Sequence, residues 1–120
     1  MKYMLLIYNN PATYQALPQQ ERDALFGEVD VIMKELGESG ELIGGEALVD
    51  ASSAAIVRVR DGVPAVTDGP FAEAKEQLAG YLMVECDSTE RAVEIAARWP
   101  DARYFAMEVR QIMDTAGTEM

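Results

Sequence analysis

An α+β domain built on an antiparallel sheet is the fold class this sequence predicts, and three observations predict it. Short runs with period-two alternation of apolar residues stand apart from runs with apolar residues at three- and four-residue spacing. These runs follow one another in the order strand, helix, strands, helix, strand. Asp61-Gly62, set between two alternating runs, is a strong short hairpin signal.

Tyr3 to Tyr8 is bulky and apolar and is followed by Asn9-Asn10-Pro11, which reads as a central strand ending in a turn. From Pro18 the spacing becomes helical, with Leu25, Val29, Ile32, Met33 and Leu36 on one face and Glu21, Arg22, Glu28 and Lys34 elsewhere. Pro18 suits the first turn, Leu17 is a poor N-cap, and Gly37 and Gly40 end the helix. Burying those five side chains contributes roughly 8 to 15 kcal/mol before entropy is subtracted.

Leu42 to Leu48, interrupted by Gly44-Gly45, reads as a bent or bulged strand that delivers Glu46. Ala54 to Arg60 and Val63 to Thr67 are the arms of the Asp61-Gly62 hairpin, and Leu78 to Cys86 alternates again. Asp87-Ser88-Thr89-Glu90 has capping-box spacing, with Asp87 as N-cap, and opens a helix carrying Ala92, Val93, Ala96 and Ala97 that closes at Trp99-Pro100. Tyr104 to Met113 is the last strand. Residues 1–113 are expected to form a single domain, with 114–120 a frayed tail.

This order matches a ferredoxin-like arrangement with an added hairpin, in which both helices cover one sheet face. The other face is expected to carry Tyr8, Arg58, Tyr81, Glu85, Glu108 and Arg110 with Met4, Leu6 and Met83. That mixture is too apolar for solvent and too charged for a monomer core, so a homodimer through this face is expected, with a partly enclosed polar cavity.

The composition narrows the function. A net charge of -11, from 21 acidic and 10 basic residues, repels nucleic acid and anionic lipid. No apolar run is long enough for a membrane span, the first residues are too short for a signal segment, and the lone Cys86 forms no internal bridge, which together suit the cytoplasm. There is no histidine, so imidazole-based dyads and His-ligated metal sites are excluded. No EF-hand spacing, phosphate loop or dinucleotide fingerprint is present, so no metal or cofactor is expected.

The residues resemble the YCII-related superfamily, and within it the branch named for an Asp-Gly-Pro-Phe motif, here Asp68-Gly69-Pro70-Phe71. The similarity also takes in Met1 to Tyr8, Gly44 to Leu48, Val57 to Gly62, the run to Gly80, and Glu108-Val109-Arg110. The resemblance implies a dimeric α+β barrel of ferredoxin-like subunits, mostly of unassigned activity, with a site at the cleft between helix, sheet and partner. The wider superfamily is similar to small lyase-like enzymes with a proposed His and Asp pair, and that chemistry does not carry over to a chain without histidine. The branch is also a frequent genomic companion of extracytoplasmic-function sigma factors, which implies a regulatory setting.

The candidate chemistry gathers around Asp68. Its carboxylate is either a general base for a lyase- or isomerase-type reaction on an unidentified small molecule, or an Asx-turn cap. Lys75 and Glu76 either join it in the cleft, with Lys75 neutralising anionic charge, or form a solvated pair. Glu46 either faces the same cleft or merely follows a bent strand. Arg58, Glu108 and Arg110 either hold a carboxylate-bearing ligand or form salt bridges across the dimer, and Tyr8 and Tyr81 either donate to the ligand or pack. Cys86 is read as core. The reading that competes with the enzyme is a non-catalytic dimer that binds a small molecule in a sigma-factor pathway.

Overall fold

The computed structural model describes residues 1–69 and 76–113. Along the chain lie β1 (Lys2–Asn9), α1 (Pro11–Gln15), α2 (Gln19–Ser39), β2 (Leu42–Ala47), β3 (Ala55–Arg60), β4 (Val63–Asp68), β5 (Gln77–Glu85), α3 (Thr89–Arg98), α4 (Asp101–Tyr104) and β6 (Ala106–Gln111). A four-stranded antiparallel sheet runs in the order β2-β5-β1-β6, while β3 and β4 pair only with each other. With that hairpin set aside, the architecture is the ferredoxin-like α+β arrangement the sequence predicts.

The core lies between the sheet and the helices. Tyr3, Leu5, Leu82 and Val84 from β1 and β5, with Cys86 just past the end of β5, meet Ile32 and Leu36 of α2 and Ala92, Ile95 and Ala96 of α3, with Trp99 beside them. Val29, Met33, Met107 and Val109 pack around this cluster. In α3 it is Ile95, not Val93 or Ala97, that completes the buried stripe, and Val93 is half exposed. The buried Tyr3 ring keeps its hydroxyl in a 2.9 Å hydrogen bond with Thr89 Oγ1. The molecule measures 49 × 47 × 18 Å, a thickness that accommodates one sheet and one layer of helices at their usual spacing of about 10 Å.

Several element ends differ from the sequence reading, each for a local reason. Pro18 is the N-cap of α2 and not part of its first turn, because its extended ψ of 149° lies outside the helix. Gly37 stays helical, and α2 ends at Gly40 in a left-handed conformation with φ 81°. Ser88, not Asp87, caps α3, its Oγ accepting from the Arg91 amide at 3.1 Å. The last strand starts at Ala106, not Tyr104, since Pro100 leads directly into α4. α1 was unforeseen: Asn10 Oδ1 accepts from the amides of Ala12 (3.0 Å) and Thr13 (3.3 Å), and Pro11 follows with its φ already helical.

The hairpin turn is as expected, with positive φ at Asp61 (52°) and Gly62 (78°). The open-face assignment needs one correction. Arg58 belongs to the separate hairpin and not to the face of the four-stranded sheet, because β3 makes its ladder with β4 alone.

Candidate functional site

Register places the open sheet face in rows. Glu46, Tyr81, Leu6 and Glu108 stand side by side across β2, β5, β1 and β6, and Gly44, Met83, Met4 and Arg110 form the next row. Charge therefore sits at the sheet edges and apolar bulk at the centre. Tyr8 donates to Glu108 Oε1 at 3.1 Å, and Arg110 donates to the other carboxylate oxygen. The Arg110 guanidinium, then the Tyr8 hydroxyl, hold the Glu108 carboxyl below its usual range; burial and the Glu108 bond push the Tyr8 hydroxyl upward, so it stays a donor.

The helix side of the sheet carries a cavity of about 520 Å³ between α1, α2, the end of β2, the start of β5 and the Trp99-Pro100-Asp101 corner. Leu25, Val29, Met33 and Trp99 supply apolar wall, and the exposed side chains of Phe26, Leu48 and Val49 extend it outward. Two glycines make the strands at its floor possible. A Cβ at Gly80 would stand 2.7 Å from the Glu46 carbonyl oxygen, and one at Gly45 would stand 2.6 Å from the Tyr81 carbonyl oxygen.

The polar end of the cavity is built by two chain breaks. Asn10 and Pro11 turn the chain just after Asn9, and Pro100 starts α4 at Asp101. Asn9 Nδ2 then reaches Asp101 Oδ2 at 3.3 Å. Burial pushes the Asp101 carboxyl above its ordinary range, against the lowering effect of the Asn9 bond and its own backbone amide. Tyr14, which packs edge-on against Phe26 with ring centroids 6.3 Å apart, also has a hydroxyl raised first by burial and next by the Asp101 charge.

Of the sequence-predicted residues, Glu46 and Tyr81 border this cavity at its strand floor, although register sets both on the open face of the sheet. Tyr8, Glu108 and Arg110 converge separately on the open sheet face. Asp68 is exposed at the end of β4, opposite Ala55, and Arg58 lies on the same hairpin. Glu76 is exposed just before β5, and Lys75 lies outside the described residues. Asp68 is therefore not among the side chains that line the cavity. Among the described residues no three His, Cys, Asp or Glu side chains converge as metal ligands, and no helix is long and apolar enough to cross a membrane.

Sequence reasoning missed Asn9, Tyr14 and Asp101. Asn9-Asn10-Pro11 carries a strong turn signal that masks a second role for Asn9, and Asp101 follows Trp99-Pro100, which reads as a helix stop. The usable signal was the pairing of two Pro-marked breaks, each with an Asn or Asp beside it, one after β1 and one between α3 and α4.

The YCII-related domain model matches residues 1–116. An uncharacterised protein of Rhizobium meliloti (strain 1021) is 33% identical over 96 residues, which is 80% of this chain and 77% of that protein. The chain belongs to the YCII-related family.

Proposed function

We propose that this chain binds a small, largely apolar organic molecule in the cavity between α2, β2 and β5, with the Asn9–Asp101 pair fixing its polar end. The observation that carries the reading is the cavity itself: about 520 Å³, walled by apolar side chains, with one hydrogen-bonded carboxyl at a corner. That size and that ratio of wall to polar groups suit small-molecule sites. The test is a thermal-shift screen of a metabolite library on wild type, Asp101→Asn and Asp68→Asn. Ligand stabilisation lost in D101N and kept in D68N supports the cavity; the reverse moves the site to the hairpin end, where Asp68 and Lys75 would serve as base and cation.

A second reading is acid/base catalysis of the lyase or isomerase type, and the burial of Asp101 favours it, because a carboxyl raised by desolvation exchanges its proton closer to neutral pH. Here D101N would lower turnover by roughly 100-fold or more. A ligand recovered unchanged after incubation with wild type points instead to a sensing role, which suits a sigma-factor-linked setting.

The assembly proposed with this site is a homodimer through the open sheet face, where Met4, Leu6, Tyr81 and Met83 are only half covered. Leu6→Asp should convert it to a monomer in sedimentation at micromolar concentration. A wild type that already sediments as a monomer removes this part of the reading.

A further inference from the structure

The cavity has a charge preference that its volume does not reveal. Resting on the binding reading above, we infer that its ligand is a hydrophobic amine, bound as the ammonium with its charge at the Asp101 end. Among the described residues, the ionisable residues at the cavity are Asp50, Tyr14, Asp101 and Glu46, with no lysine or arginine, and register sets Glu46 on the opposite face of the sheet. Arg22, whose charge is felt at Tyr14, is not among the lining residues and is engaged: its guanidinium donates to the Gln15 carbonyl at 3.0 Å and to Gln19 Oε1 at 2.8 Å.

Among the described residues an anion entering this space would meet carboxylates and no lining cation, and such repulsion is strengthened where apolar walls lower the dielectric. A neutral ligand would leave the ionised, partly buried Asp101 with Asn9 as its side-chain donor. An ammonium supplies the missing donors and the opposite charge together. The aromatic rings of Tyr14, Phe26 and Trp99 line the same cavity, and ring faces attract cations while the aliphatic walls take the apolar body. Glu46 stands on the other face of the sheet and Asp50 is engaged by the Ser52 amide at 2.8 Å, so Asp101 is the carboxyl placed to receive the charge.

Calorimetric titration of the full chain with cyclohexylmethylamine, cyclohexylmethanol and cyclohexanecarboxylate at neutral pH tests the inference. The amine should bind about tenfold more tightly than the alcohol, and the carboxylate more weakly than either. D101N should erase the amine's advantage over the alcohol. Acidification of wild type should reduce the advantage as Asp101 is protonated, which keeps the test available if D101N fails to fold. A carboxylate that matches the amine, or an amine advantage that survives both D101N and acidification, overturns the inference and leaves the cavity reading intact. Failure of all three probes to bind at millimolar concentration takes the cavity reading down as well.

Discussion

The β1–β5 ladder and the β3–β4 hairpin are made of similar residues and have opposite environments. Leu5 and Val84 are 0% exposed, whereas Val57 and Val66 on the hairpin are 61% and 64% exposed. All four side chains sit in antiparallel ladders. The difference is the layer above them: α2 and α3 roof the first ladder, and no described element roofs the second. Alternation in a strand therefore reports a potential to be buried, and the connectivity of the helices decides whether that potential is used. A two-stranded unit without a packed face is marginal alone, so the hairpin's shape leans on its turn and on cross-strand contacts.

The comparison can be broken most sharply in the core. Leu36→Ala should lower unfolding free energy by roughly 2 to 5 kcal/mol in denaturant titration, because Leu36 is fully enclosed and its loss opens a cavity in the core. Gly80→Ala comes next, at about 1 to 3 kcal/mol, since its new methyl group would stand 2.7 Å from the Glu46 carbonyl oxygen and strand backbone must shift to admit it. It should also weaken ligand binding, as it pushes β2 and β5 apart at the cavity floor.

Electrostatics sharpens the contrast at a third site. Arg91 grips Glu41 with two hydrogen bonds of 2.8 Å, joining the chain before β2 to α3. The Arg91 bonds, against burial and aided by Ser39, bring the Glu41 carboxyl from 4.5 to about 2. Because the folded state holds this proton more weakly than the unfolded chain, the stabilisation is present above about 4.5 and is lost as pH falls towards 2. Glu41→Gln should cost about 1 kcal/mol at neutral pH, and little at strongly acidic pH, in paired denaturant titrations.

The smallest expected effect is Val66→Thr, within about 0.5 kcal/mol, as for an exposed residue. A loss of the size expected for L36A would mean that a second copy covers the hairpin in solution. Amide exchange across β3 and β4 should likewise outpace that of β1 and β5.

The strands, both long helices and the hairpin turn were legible in the sequence because each has a periodic pattern or a two-residue signature. Face assignments within the sheet held for Met4, Leu6, Tyr81, Met83, Glu108 and Arg110, since pleat alternation carries over directly from sequence. Arg58 failed because no local signal tells whether a hairpin continues a sheet or leaves it. The cavity was less visible still. Its wall takes apolar residues from α2 that also read as core, and its polar corner joins Asn9 to Asp101, 92 positions apart, a proximity that no periodicity encodes.

One irregularity in β5 determines which groups stand at that corner. The ladder with β1 shifts after Ile7, so that Ile7 faces Gly80 and Tyr8 faces Leu78, with Ala79 passed over and its carbonyl bonded to the Leu48 amide at 2.8 Å. This offset sets Gln77 opposite Asn9; an uninterrupted count would have put Leu78 there, crowding a hydrocarbon against the amide that serves Asp101. It also follows that excising Ala79 would regularise the ladder without inverting a single neighbour.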